Sequence, residues 1–213
     1  MLISRKYKFI FIHIPKTAGQ SITKALSPFA TGNFQGKLSN LLCSKNLVSR
    51  SVLNRLHIYH PHITAEELIT VLGEETFNDY FSFAIVRNPW EWQVSLYNYA
   101  LKNPRHKNHQ FIKSLGTFEQ YIQFLSNQPD KSTFLQHPFI FNDKEEKLVN
   151  YIGKYEQLSQ DFKIICAHLG ISAKLPRLNV YRTKDYKKYY NEEMIEIVRQ
   201  KFASDIEAFK YSF

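Results

Sequence analysis

Residues 8–26, KFIFIHIPKTAGQSITKAL, constrain the fold of this chain more than any other stretch. Phe9, Ile10, Phe11 and Ile12 form an unbroken apolar run, which suits a central parallel strand covered on both faces. Pro15 ends it. Past Gly19 the apolar residues Ile22, Ala25, Leu26 and Phe29 recur at helical spacing and predict an amphipathic helix packing back onto the sheet. Between strand and helix lie Lys16, Thr17, Ala18 and Gly19, with Gln20 and Ser21 just inside the helix. A helix start carries N–H groups with no intrahelical acceptor and a partial positive charge, and this one adds a lysine, two hydroxyls and a glycine. The stretch reads as an anion site, for a phosphate in the first place.

The charge distribution points to the same third of the chain. Nine of the 28 Lys and Arg fall before Glu66, the first acidic residue, which leaves 19 basic against 19 acidic side chains in the remainder. The whole excess of +9 therefore sits with the proposed anion site, where it would attract a polyanionic cofactor, an acidic glycan or nucleic acid. At 213 residues the chain is expected to be a single α/β domain over 1–213. Two cysteines, Cys43 and Cys166, imply no disulfide framework, and no segment nears the roughly 18 apolar residues that cross a bilayer. A soluble cytoplasmic protein is the expectation.

Further along, Thr31 to Pro61 suggests one or two basic helices. Within it Gly32 to Leu38, GNFQGKL, faintly echoes a nucleotide-binding P-loop but has three residues between its glycines and a leucine after the lysine. Thr64 with Glu67 predicts a capped helix ending at Gly73. Tyr80 to Val86 reads as a second central strand that delivers Arg87 at its C-terminal end. Asn88, Pro89 and Glu91 then open a helix, in a capping-box-like arrangement, that runs to about Lys102 with Ser95 two turns in. Trp90 and Trp92 flank Glu91, so no more than one is expected to face the core fully. His106 and His109 are read as surface positions in a polar basic loop. Thr117 to Asn127 predicts a helix, Lys147 to Gly153 a strand, Leu158 to Leu169 a helix, Leu175 to Tyr190 a loop, and Asn191 caps a last helix through about Phe202. Strands alternating with helices predict a parallel α/β sheet with ligands beyond the strand C-termini. Lys16 and Arg87 both follow strand ends.

HIPKTAGQS at 13–21 resembles the 5′-phosphosulfate-binding loop of sulfotransferases that use 3′-phosphoadenosine 5′-phosphosulfate (PAPS), and VRNPWEWQVSLY at 86–97 resembles their 3′-phosphate motif. HITAEEL at 62–68, LVNYIGKYEQL at 148–158 and LPRLN at 175–179 extend the likeness to the carbohydrate branch, which includes heparan sulfate 2-O-sulfotransferases and small bacterial members. The resemblance implies an α/β, P-loop-like three-layer domain with a central, mainly parallel sheet flanked by helices, and metal-independent transfer of a sulfuryl group from PAPS to a saccharide or glycan hydroxyl, with adenosine 3′,5′-bisphosphate (PAP) as product. It implies that Lys16 stabilises charge on the leaving phosphate and that Thr17, Ala18, Gly19, Gln20 and Ser21 cradle the 5′-phosphate. Arg87 and Ser95 would hold the 3′-phosphate, with Arg182 and Lys184 closing from the late loop. A histidine general base is implied near residue 62: register favours His62, with His60 the first alternative and a carboxylate the other. His13 is read as structural and Glu156 as a supporting residue, and Trp92 stands where many relatives have Arg. Two other readings compete: a phosphate-transferring P-loop enzyme, disfavoured by the missing Gly-Lys-Ser/Thr, and a basic nucleic-acid-binding module, whose affinity would fall steeply with salt.

Overall fold

The computed structural model describes residues 1–31, 61–129, 134–176 and 185–213. The helices expected within Thr31 to Pro61, the echo at Gly32 to Leu38, and the candidates His60, Arg182 and Lys184 lie outside the described residues. By its contacts the chain divides into two compact units, Met1–Val86 with Pro138–Leu178 and Arg87–His137 with Asn179–Phe213.

The first unit is built on a sheet of β1 (Leu2–Ser4), β2 (Phe9–Ile12), β3 (Phe81–Val86) and β4 (Tyr151–Lys154), in that order. β2, β3 and β4 run parallel, and β1 pairs antiparallel at the edge. All four residues of β2 are fully buried, as its unbroken apolar run requires. Phe9, Phe11, Phe83 and Ile85 share one face and pack with Ile22, Ala25 and Leu26 of α1 (Gly19–Leu26) and with Phe162, Ile165 and Cys166 of α7 (Leu158–His168). β1 was not foreseen: three residues are too few to show a period. β4 begins at Tyr151 rather than Lys147, because the Asn150 side chain accepts from both the N–H and the hydroxyl of Ser82 and so fixes the entry register. Lys147 forms only an isolated bridge with Phe141. Gly153 lets α7 approach, since a Cβ there would lie 2.6 Å from Ile85 Cδ1 and 3.0 Å from Asp161 Cβ. α2 (Ala65–Leu72) opens on the expected Thr64–Glu67 capping box and stops at Gly73, and the short α3 (Glu74–Asn78) leads into β3.

The second unit is helical: α4 (Pro89–Lys102), α5 (His109–Leu115), α6 (Phe118–Ser126), α8 (Glu192–Lys201) and α9 (Ala203–Phe209). Thr117 and Gln120 form a capping box on α6, and Asn191 caps α8 through Met194 N–H. The chain breaks at Phe202 and continues as α9, and His109 opens a helix where a loop was expected. The reading of the tryptophans is corrected, because both Trp90 and Trp92 are fully buried. Two positions about 200° apart can both be internal only when a helix is enclosed nearly all round. Trp90 packs edge-on to Phe213 and donates its Nε1–H to the Ile195 carbonyl, while Trp92 stacks on Phe134 and meets Phe202 edge-on. No helix among the described residues is long and apolar enough to cross a membrane.

Candidate functional site

Two groups of candidate residues follow strand ends, one in each unit. The first is the turn after β2. Lys16 and Ala18 both adopt the left-handed backbone region, with φ of 64° and 68°. Neither is glycine, so the turn holds about 1–2 kcal/mol of backbone strain per residue. Alternation into the left-handed region turns neighbouring N–H groups toward one concave side, where an anion can sit. The Thr17 hydroxyl, fully buried, donates to the Ile14 carbonyl at 2.9 Å and closes the turn. Its proton is therefore committed to the loop, and the backbone N–H is what Thr17 can offer an anion. Ala18 precedes the helix, and its carbonyl accepts from Ser21 and Ile22 N–H at 2.9 and 3.2 Å. Gly19 and Ser21 are buried in the first turn of α1 and Gln20 is exposed.

Gly19 is required by a neighbour rather than by its own φ. A Cβ there would fall 1.7 Å from His13 Nε2 and 1.9 Å from Cδ2, so the His13 ring lies on the start of α1. That ring also stacks on Phe11, with centroids 5.7 Å apart. Burial above all, then nearby positive charge including that of His62, holds the imidazole well below the usual histidine value, so His13 is neutral at neutral pH.

His62 is brought to this turn. Its Nδ1 lies 2.8 Å from the His13 carbonyl, and the two rings sit 4.6 Å apart between centroids. A carbonyl can only accept, so Nδ1 carries the proton, and the lone pair of the neutral ring resides on Nε2. The hydrogen bond thus sets tautomer and orientation together, the arrangement a general base requires. His13, held neutral, places no second positive charge beside the His62 ring.

The second group surrounds Arg87, the residue after β3. Arg87 is buried at 2% exposure, and its guanidinium pairs with Glu91 Oε1 at 2.8 Å. Asn88 caps α4 as expected, its Oδ1 accepting from Trp90 N–H at 3.0 Å. Glu91, read from sequence as part of that cap, serves Arg87 instead. Ser95 is also buried and lies one turn beyond Glu91 on the same side of α4. The backbone of Arg87 is held by a side chain that sequence reasoning missed: Gln136 Oε1 accepts its N–H and Gln136 Nε2 donates to its carbonyl, both at 2.8 Å. Asp205, wholly buried, accepts in turn from Gln136 N–H at 3.0 Å and His137 N–H at 2.7 Å. Burial pushes the Asp205 carboxyl up to about 6 against the pull of those donors. The i, i+4 spacing of Arg87 and Glu91 was open to inspection; nothing local marks Gln136 or Asp205. Glu156 is exposed in a single 3₁₀ turn after β4.

Chemically, the first group is a cationic turn with an oriented imidazole beside it, and the second is a buried guanidinium presented at a helix start. Both suit phosphate-like anions. Among the described residues, no three His, Cys, Asp or Glu side chains converge as a metal site would require.

The model of the family described as "Sulfotransferase family" matches residues 1–212. A curated relative from Archaeoglobus fulgidus, described as an uncharacterized protein, is 27% identical over 121 residues, which cover 55% of this chain and 91% of the relative. Among solved structures, the crystal structure of mouse sulfotransferase SULT7A1 complexed with PAP matches 96% of this chain and 86% of its own, with a TM-score of 0.53 and 16% identity. That likeness establishes the α/β fold.

Proposed function

This chain belongs to the sulfotransferase family, and from that premise we propose that it moves the sulfuryl group of PAPS to a hydroxyl of a saccharide or glycan, as one domain over 1–213. The observation that carries the reading is the turn after β2, where Lys16 in the left-handed region, the start of α1 and a His62 ring aimed by the His13 carbonyl meet. The solved structure of the mouse relative in complex with PAP supports the choice of nucleotide. The HITAEEL and LVNYIGKYEQL stretches support the carbohydrate branch and its small bacterial members.

The donor supplies a sulfuryl group already activated on a phosphate. This chain's residues do the rest. Backbone N–H groups from Thr17 to Gln20, with the hydroxyl of Ser21, bind the 5′-phosphate at the positive end of α1, and Lys16 neutralises the charge that collects there as the sulfuryl group departs. His62 Nε2 takes the proton of the acceptor hydroxyl. Arg87, with Ser95 beside it on α4, binds the 3′-phosphate through a planar set of donors that a lysine could not match. Arg182 and Lys184 add charge from the late loop, and His60 is the alternative base. We place the activity in the cytoplasm.

Thermal unfolding with added nucleotide tests the reading. PAP at 100 times its dissociation constant stabilises by about 2.7 kcal/mol and raises the midpoint by roughly 5–10 °C for a chain of this length. Stabilisation by ATP with none from PAP would turn the assignment toward a phosphate-transferring enzyme.

A further inference from the structure

We infer that Gln136 and Asp205 are positioning residues for Arg87, fixing where its guanidinium meets the 3′-phosphate of the nucleotide. The inference rests on the role proposed above for Arg87.

Arg87 occupies an awkward backbone position. Val86 is the last residue of β3 and Pro89 is the first of α4, so Arg87 lies, with Asn88, in the link between the β ladder and the helix. Its N–H and carbonyl are both claimed by one side chain. A glutamine amide has the donor and acceptor of a peptide group, and Gln136 uses them as a surrogate rung of sheet: Oε1 on the Arg87 N–H and Nε2 on its carbonyl, each at 2.8 Å. This orientation of the amide is the only one that satisfies both contacts, because its reverse would oppose donor to donor and acceptor to acceptor.

Gln136 is itself held by Asp205. One carboxylate oxygen accepts from Gln136 N–H at 3.0 Å and His137 N–H at 2.7 Å, and the other accepts from Gln136 N–H at 3.0 Å and lies 3.4 Å from Gln136 Nε2. All these groups are donors, so the site is complementary to a carboxylate with two accepting oxygens. An asparagine would turn an NH₂ toward one of them. Gln136 and Asp205 are 0% exposed. At the far end of the arginine, Glu91 Oε1 takes the guanidinium at 2.8 Å. Arg87 is therefore fixed at its backbone by Gln136 and at its head by Glu91, and the direction of its side chain is set from α9 through Asp205. A phosphate grip benefits from such fixing because charge-assisted hydrogen bonds weaken steeply as distance and angle are lost.

Calorimetric titration with two probes tests this: PAP, and adenosine 5′-monophosphate, which lacks the 3′-phosphate. Wild type is expected to prefer PAP. Gln136→Asn, whose amide ends one methylene short, and Asp205→Asn should each weaken PAP about 10- to 100-fold and leave the monophosphate unchanged. In an Arg87→Ala background, where the group being aimed is gone, the same substitutions should cost nothing further. Should Gln136→Asn not fold, Gln136→Glu keeps the acceptor opposite the Arg87 N–H, loses the donor opposite its carbonyl, and gives the same readout. Equal losses for both nucleotides, or an unchanged preference for PAP, would overturn the inference while leaving the role of Arg87 standing. No preference for PAP in the wild type would remove Arg87 from the 3′-phosphate and the inference with it.

Discussion

Replacing Gly19 by alanine is the perturbation whose outcome the geometry fixes most sharply. In an ordinary helix the change is favourable: the unfolded chain loses freedom, which contributes about 0.4–1 kcal/mol of stability. Here the added Cβ falls 1.7 Å from His13 Nε2, 1.9 Å from Cδ2 and 2.6 Å from Cε1, so the imidazole must leave its place. The ring has little room to go, stacked on Phe11 and 4.6 Å from the ring of His62. Overpacking of this kind costs about 1–3 kcal/mol. The balance is a net loss of about 1–2 kcal/mol, which lowers the midpoint by roughly 2–8 °C. Removing the obstacle should remove the effect: in a His13→Ala background Gly19→Ala should cost little or nothing, with a coupling of about 1–3 kcal/mol in a double-mutant cycle read by urea denaturation. Because the displaced residue also offers its carbonyl to His62, Gly19→Ala should slow transfer more than it weakens nucleotide binding. A Gly19→Ala protein that is more stable than wild type, or a cycle with no coupling, would refute the placement of His13 over the start of α1.

His62→Ala should retain nucleotide affinity and lose transfer by about 10²–10⁴-fold, checked by initial rates beside calorimetry; loss in a His60→Ala protein instead would move the base. Glu91→Gln removes the carboxylate charge paired with the buried Arg87 guanidinium and should lower the stability of the nucleotide-free protein by about 3 kcal/mol. Added PAP should then raise the midpoint more than in wild type, because its phosphate supplies the missing charge, and an equal rise in both proteins would count against that role. The carboxyl of Asp205 titrates near 6 when folded against 3.8 as its reference value. The folded state therefore binds that proton more tightly, and this group's contribution falls by about 3 kcal/mol as pH rises from roughly 4 to 6, then levels. Urea denaturation across that window should show the decline in wild type and not in Asp205→Asn. His13, lowered when folded, acts in the opposite sense, its contribution being complete above about pH 6.5 and lost as pH falls.

What could be read from sequence was whatever has a local period or a local cap. The run Phe9 to Ile12 announced a doubly covered strand, Thr64 with Glu67 announced α2, and the stretch Leu158 to Leu169 announced α7. Three residues of β1 carry no period, and the break at Phe202 has no glycine or proline to mark it. The tryptophans misled because an amphipathic reading assumes one wet face, and α4 is buried nearly all round. At the site, short motifs singled out the turn at Lys16 to Ser21 and named His62 as a candidate, and the structure sets the His62 ring against the His13 carbonyl. The partners that orient them did not: the His13 carbonyl lies 49 residues from His62, Gln136 lies 49 from Arg87, and Asp205 lies 69 from Gln136. Such contacts are made by topology, and no single-sequence pattern encodes them.

Transfer of a sulfuryl group from PAPS to a saccharide hydroxyl, the activity proposed for the β2 turn, can be followed in a single assay. The protein is incubated with sulfur-labelled PAPS and a panel of saccharides, and products are followed by mass spectrometry alongside release of PAP. One acceptor should gain a single sulfuryl group in step with PAP formation, with Lys16→Ala abolishing both. PAPS left intact with every acceptor, or a phosphorylated saccharide formed from ATP in its place, would contradict it.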